Sequence, residues 1–439
     1  MILLISQVDI CNLAHCFEIV APTFSIYNDP SMNRKASILF IFVTLALDSI
    51  GLGIVIPVLP DVIRRFMTAE TDVSRIYGYF VAVYSLFLFI SSPLLGKLSD
   101  RFGRRPILLL ALLGGGVDYV FMAFAPTLSL LFIGRIISGI CGASFTVASA
   151  YIADISDDSN RSKNFGVIGA GFGLGFILGP IIGGLLGTYG YQYPFIAAAV
   201  FTFLNFLFGY FVLPESLPPE KRRNIDWKSL NPLKSFSILA RVPTIGLLVG
   251  AFFMLHMASH THPSMWTLYT EHRYGWTPAQ VGISLTLVGI LSALAQGVFT
   301  GYFVKWIGER KLIIIGLLGE SVSFALFGLA TTGLFLYVVL IFSSVFWSAH
   351  PTLQSLISKN VSPLEQGELQ GALMGLASLT SIINPLVMTS VFAATSQRSN
   401  GLYLPGSPYL LAGFLLFIGW IMAVYWNIKH PVAGGTDAV

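Results

Sequence analysis

The sequence predicts an all-α polytopic membrane protein made of two six-helix halves. Three observations carry this. Of the 439 residues, 55% are hydrophobic and only 10% are charged, against about 25% charged in an ordinary soluble domain. The apolar stretches run to about 20 residues, the length a helix needs to cross a hydrocarbon core of roughly 30 Å. Barrel strands would be about half as long and would alternate polar with apolar. The third observation is an internal repeat at an offset of 205 residues. Gly103 and Arg105 map onto Gly308 and Arg310, Gly166 onto Gly371, and Pro180 onto Pro385.

Twelve spans follow from the apolar pattern: 36–59, 76–95, 106–125, 128–151, 164–187, 194–213, 243–266, 279–301, 312–331, 333–357, 369–393 and 408–428. Residues 1–35 form an N-terminal extension, read as disordered or as a start codon placed too early. They lack a basic leader, so a signal peptide is not expected. Residues 36–213 make the first six-helix bundle. The polar interval 214–242 is the central loop, 243–428 the second bundle and 429–439 the tail. Nineteen Lys and Arg fall in the termini and even-to-odd loops, against five in the odd-to-even loops. The positive-inside rule then puts both termini in the cytoplasm. The net charge of +4 is spread over short loops and is no nucleic-acid signal. Cys11, Cys16 and Cys141 form no disulfide framework, and Cys141 is read as packing.

Between spans 2 and 3 lies Gly96-Lys-Leu-Ser-Asp-Arg-Phe-Gly-Arg-Arg-Pro106. Gly96 is expected to let two helix ends approach, and Gly103 to permit the turn. Asp100 and Arg104 are four apart and can meet on a helix. Asp154 closes span 4 and is a third member available in space. In the second copy Lys305 stands where Asp100 would, so the lock reads as asymmetric.

Charges inside the bilayer cost at least ~2.5–3.5 kcal/mol on insertion scales, so each needs a reason. Four stand out: Asp48 in span 1, Asp118 in span 3, Arg135 in span 4 and Glu320 in span 9. A carboxylate that alternates between water and a cation can bind and release a proton in each cycle. Asp48 with Arg135 is the expected proton-coupling pair. Asp118 and Glu320 are read as further coupling groups, or as hydrated structural polars near the cytoplasmic third of their spans. His256 and His260 share a face of span 7, and His262 follows. The cluster can bind a metal, titrate near neutral pH, hydrogen-bond a substrate, or form a structural polar edge. His256, His260, Gln296 and Trp266 are the candidate substrate contacts, and no metal is assigned. His350-Pro351 in span 10 is read as structural.

The loop Gly96–Pro106 resembles that of the major facilitator superfamily. The resemblance implies a cytoplasmic gate of Gly96, Asp100, Gly103, Arg104, Arg105 and Asp154, in which Asp100, Arg104 and Asp154 form a charge relay that holds an outward-facing state. It also implies that Asp100 sits at a helix N-terminus of the other half, where the macrodipole favours a carboxylate. Span 5 carries Gly175, Gly179, Pro180, Gly183 and Gly184. Small residues at this spacing let another helix pack on the backbone. The whole pattern resembles the antiporter motif of drug:proton exporters. Longer strings, among them Gly134-Arg-Ile-Ile-Ser-Gly, Leu213-Pro-Glu-Ser216, Asn231-Pro-Leu-Lys-Ser-Phe236 and Gln366-Gly-Glu-Leu-Gln-Gly371, resemble the tetracycline-resistance exporter group. That group has a histidine in span 8 where this chain has Ser292. Proton coupling would then fall on another group, such as Asp48 or Glu320, or be rearranged.

The resemblance implies a monomeric twelve-span transporter of the bacterial inner membrane. It would exchange an amphipathic drug-like molecule for protons, with the proton as coupling ion and no cofactor. Its partners would be the small molecule, protons and the lipid bilayer, without nucleic acid. The alternative is a transporter of a natural metabolite such as a siderophore or sugar. An enzyme is not expected: neither HExxH nor Gly-x-Ser-x-Gly occurs.

Overall fold

The computed structural model describes residues 34–431 apart from 68, 143, 157–160, 223–237, 239–240, 363–364 and 398–402. Cys11, Cys16, nearly all of the N-terminal extension, most of the central loop with Asn231–Phe236, and most of the C-terminal tail lie outside the described residues. Among the described residues, eleven helices are long and apolar enough to cross a membrane. In the first half these are span 1 (Arg34–Val55), span 2 (Glu70–Phe102), span 3 (Arg104–Phe124), span 4 (Leu128–Ile155), span 5 (Arg161–Gly187) and span 6 (Gln192–Val212). In the second half they are span 8 (Pro278–Ile307), span 9 (Glu309–Leu329), span 10 (Gly333–Lys359), span 11 (Gln366–Thr395) and span 12 (Ser407–Lys429).

Span 7 is the exception. It is two 14-residue helices, Gly246–Ser259 and Thr261–Tyr274, jointed at His260. Pro263 has no N–H to give the Ser259 carbonyl, so the helical ladder is interrupted there and a single helix over 243–266 does not form. Two other spans of the second half are irregular. Span 8 has a π segment at Ala295–Phe299, and span 10 a 3-10 segment at Val345–Ser348.

The repeat is visible in the backbone. Gly103 (φ 104°, ψ 157°) and Gly308 (φ 79°, ψ 157°) make the same left-handed turn ahead of spans 3 and 9. Only glycine takes that conformation without strain. The halves meet along two seams, span 2 on span 11 and span 5 on span 8. A Cβ at Gly78 would meet the Pro385 carbonyl at 2.8 Å; one at Gly282 would strike the Pro180 carbonyl. Each seam therefore sets a glycine against a proline-bearing helix. Large apolar side chains such as Phe124, Phe211, Trp306 and Leu334 are exposed, as befits a bundle whose solvent is lipid.

The glycines of span 5 seat it on span 1. A Cβ at Gly179 would lie 2.7 Å from the Ile50 carbonyl and 2.8 Å from Gly53 Cα; at Gly183 it would lie 2.7 Å from Ile54 Cα. At Gly175 it would lie 2.7 Å from the Ile50 nitrogen. Gly184 faces the other way, with Ala279 Cα and Gly282 Cα each 3.1 Å from its would-be Cβ. One stripe of small residues thus serves two neighbours, one in each half.

Candidate functional site

A cavity of about 850 Å³ lies between the halves. Spans 1, 2, 4 and 5 supply most of its wall, and span 11 adds Met374 and Ser378. Aromatic rings dominate: Tyr77, Phe80, Tyr84, Tyr119, Phe172 and Phe176. Asp48 and Arg135 are its charged groups, and Cys141 lines it as well. An apolar box with a few fixed polar groups is the usual design for holding an amphipathic small molecule.

The expected pair of Asp48 with Arg135 is not made. Asp48 Oδ2 accepts a 2.5 Å hydrogen bond from Ser144 Oγ. Ser144 lies in the second half of span 4, and its hydroxyl reaches across to span 1. Arg135 instead turns to Asp118, with Nη1 3.9 Å from Oδ2. It also lies over Phe80 and Tyr84, its Cζ 4.9 and 5.6 Å from their ring centroids. Asp118 is fully buried, and among the described residues neither of its oxygens has a hydrogen-bond partner. Glu320, 1% exposed, lies halfway along span 9. Neither carboxylate is a hydrated polar near a helix end, because both point into the helix bundle.

The candidate substrate contacts do not line this cavity. Gln296 is exposed and donates to Ser292 Oγ within its own helix, 2.8 Å. Trp266 is buried and donates to Ser284 Oγ, 2.8 Å. His256 and His260 are not among its lining residues, although His260 bonds the backbone of Ala377 on span 11, next to the lining residue Ser378. His262 parts from them into a cage formed by Trp266, Phe324, Phe327 and Tyr409, with ring centroids 4.8–5.7 Å away. No group of His, Cys, Asp or Glu able to hold a metal occurs among the described residues.

The lock is formed, with an unforeseen member. Arg104 reaches Asp100 at 2.6 Å, Asp154 at 2.9 Å and Ser99 Oγ at 2.7 Å. Arg105 Nη2 donates to the Tyr210 carbonyl, 2.6 Å. Glu215, just past span 6, accepts from the backbone N–H of Arg104 at 2.8 Å, of Arg105 at 3.3 Å and of Leu217 at 3.0 Å. It is therefore Glu215, from the same half, that occupies a helix N-terminus, satisfying orphan donors of span 3. Asp100 bonds to Arg104 and caps nothing. Gly96 is not a tight approach either, since a Cβ there would have only Thr146 Cγ2 at 3.8 Å. Gly103 is the crowded position: a Cβ there would strike the Glu215 carboxylate. The string Leu213–Ser216 was the available signal for Glu215.

The second half carries the matching three charges with every sign reversed. Adding 205 to Asp100, Arg104 and Asp154 gives Lys305, Glu309 and Lys359. Lys359 Nζ lies 2.6 Å from Glu309 Oε1, repeating the Arg104–Asp154 pair in mirror charge. Lys305 is exposed.

At the opposite end, carrying loops 1–2 and 7–8, bonds join the halves. Arg64 pairs with Glu271 at 2.8 Å, Thr267 Oγ1 donates to the Ile56 carbonyl at 3.1 Å, and Tyr77 to the Pro263 carbonyl at 3.5 Å. The Asp100–Arg104–Asp154 relay thus stands complete while the halves are bonded at the other end.

Glu215→Ala removes an acceptor from three N–H groups and is expected to cost about 0.5–2 kcal/mol, the range for a lost helix cap. Thermal unfolding of the purified protein in detergent checks this, and Glu215→Gln should recover part of the loss.

Paired six-helix halves, an apolar central cavity and charge clusters at the cavity's ends define a membrane transporter rather than an enzyme. The Major Facilitator Superfamily profile matches residues 41–273 and 248–438. The chain is 40% identical to the class C tetracycline resistance protein of Escherichia coli over 371 residues, covering 84% of this chain and 93% of that one. It is 37% identical to the class D tetracycline resistance protein of Salmonella ordonez, covering 91% and 98%. A solved bacterial homolog of the human lysosomal transporter Spinster, inward-facing and occupied, superposes with a TM-score of 0.75 at 15% identity, covering 92% and 98%. The chain belongs to the Major Facilitator Superfamily, in the group of tetracycline resistance proteins.

Proposed function

We propose that this protein exports a tetracycline-like amphipathic drug across the bacterial inner membrane in exchange for protons, by alternating access. The observation that carries the reading is Asp48 in an aromatic cavity, hydrogen-bonded to Ser144 and free of a cation. When drug occupies the cavity, the Asp48 carboxylate is ionised and available to it. When Asp48 is protonated its charge is gone and the empty carrier can return. Each proton entering down the membrane potential contributes ~2.3 kcal/mol per 100 mV, and the pH difference adds to this.

In this reading both termini and the Arg104 lock face the cytoplasm, and the Arg64–Glu271 latch faces outward. The arrangement latched at loops 1–2 and 7–8 is then the inward-facing one. The carrier works as a monomer, with drug and protons as its partners and no cofactor. Arg135 with Asp118 holds span 4 to span 3 and keeps a cation at the cavity wall. Expression in a hypersusceptible bacterial host tests the substrate. Tolerance to tetracyclines should rise while that to unrelated drug classes stays unchanged; the reverse pattern would discard tetracycline as substrate.

A further inference from the structure

We propose that the second half contains its own proton-binding site, the imidazole–carboxylate pair of His350 and Glu320. The inference rests on the proton-coupled reading above and adds to it a site on the other side of the molecule. Glu320 Oε1 lies 2.9 Å from His350 Nε2. The carboxylate is 1% exposed, and its other oxygen, Oε2, has no hydrogen-bond partner among the described residues. The His350 side chain is 26% exposed. The pair therefore has a sealed acidic end and a partly exposed basic end.

The chemistry follows from the donors. With His350 neutral, its Nε2–H donates to a charged Glu320, and the site carries one negative charge. A proton arriving at the other ring nitrogen, Nδ1, makes an imidazolium facing a carboxylate, and the site becomes neutral. Loading thus removes a net charge from a desolvated position, where a lone charge is costly. Unloading returns the proton from Nδ1 to water. A buried carboxylate with an orphaned oxygen contributes little to stability that an apolar side chain would not, so the pair calls for another purpose.

The neighbours fit a proton path. His256 of span 7 faces His350, ring centroids 6.2 Å apart. Its Nδ1 is 3.0 Å from the Phe252 carbonyl. A carbonyl only accepts, so Nδ1 carries the hydrogen and Nε2 is left to take a proton. The other titratable group acting on the pair is His260. His262 stands apart in its aromatic cage.

Three helices around the site depart from regular α geometry, while span 9, which carries Glu320, stays regular. Span 10 is 3-10 over Val345–Ser348, directly before His350, and span 7 is jointed at His260. Ser348 Oγ donates to the Ala295 carbonyl in the π segment of span 8, 3.2 Å. Such mid-helix irregularities are where helices hinge. A change of charge at Glu320–His350 is thereby placed where three spans can respond.

The test uses the purified full chain in proteoliposomes with tetracycline as the probe. Two activities are compared: uptake driven by a pH gradient, and tetracycline–tetracycline exchange without one. Glu320→Gln and His350→Asn should keep exchange within about twofold and lose driven transport by about tenfold or more. Driven transport at the wild-type rate in both variants overturns the inference alone. Absence of driven transport in the wild-type protein overturns the coupled reading and this inference with it. Equal loss of both activities in a folded variant assigns the pair a packing role and also overturns the inference. If Glu320→Gln does not accumulate in folded form, Glu320→Asp decides. It should transport with a shifted pH profile, and an unshifted profile counts against the site.

Discussion

Asp48→Asn is expected to abolish proton-driven export, by about a hundredfold or more, the scale on which a positioned acid–base group acts, while leaving the protein folded. The amide keeps the shape of the carboxylate and can still bond to Ser144, whose Oγ lies 2.5 Å from Asp48 Oδ2. What it loses is the ability to exchange a proton with the cavity. Drug–drug exchange, which moves no net proton, should survive. Ser144→Ala is the milder companion. It removes the hydrogen bond but leaves the carboxylate, so coupling should persist with an altered pH profile. Export by Asp48→Asn at the wild-type rate in membrane vesicles would remove Asp48 from the mechanism. The assignment also separates Asp48 from Arg135. A variant that neutralises Arg135 strands Asp118, which is 0% exposed, and should show first as lost stability.

Gly183→Val is expected to prevent the fold from forming. The first added carbon would lie 2.7 Å from Ile54 Cα and 2.8 Å from its carbonyl carbon. Those are backbone atoms of span 1, so no side chain can turn aside. Overpacking in a core costs about 1–3 kcal/mol where neighbours can adjust, and here the two helices must separate. Gly173→Ala is the control, because nothing lies within 4 Å of its would-be Cβ. Comparing the amounts of monodisperse protein recovered in detergent checks both. Normal recovery of Gly183→Val would show that span 5 does not need its close seat on span 1.

The fold was legible because composition and apolar length report directly on a lipid solvent. The joint in span 7 was not. Its apolar stretch is as long as the others, and Pro263, whose missing N–H cannot bond the Ser259 carbonyl, is easily passed over in such a run. The first lock was readable since Asp100 and Arg104 share one turn of helix. Glu215 was overlooked because its partners are backbone N–H groups, which leave no mark in a side-chain pattern. The reversed charges lay open to arithmetic: the 205-residue offset leads from Arg104 and Asp154 to Glu309 and Lys359. Lys305 taken by itself reads only as a lost aspartate, and the reversal shows when Glu309 and Lys359 are set beside it.

The proton site was only half legible. Asp48 stands out as a charge in an apolar run, but its partner is a serine, among the least distinctive residues in a membrane helix. The nearest cation in the sequence argument, Arg135, belongs to Asp118 instead. Likewise His350 and Glu320 could each be noticed, but not their pairing, which joins two different helices. Pairings between spans depend on helix rotation, and a few degrees decide which of two carboxylates an arginine meets.

The central claim is that drug and protons cross in opposite directions through one carrier. Everted membrane vesicles bearing the protein test it most directly. With an imposed inward-acid pH gradient followed by a fluorescent dye, adding tetracycline should dissipate part of the gradient. Asp48→Asn vesicles should hold theirs. A gradient left untouched by tetracycline in wild-type vesicles, while the drug still accumulates inside, would contradict proton exchange as the driving step.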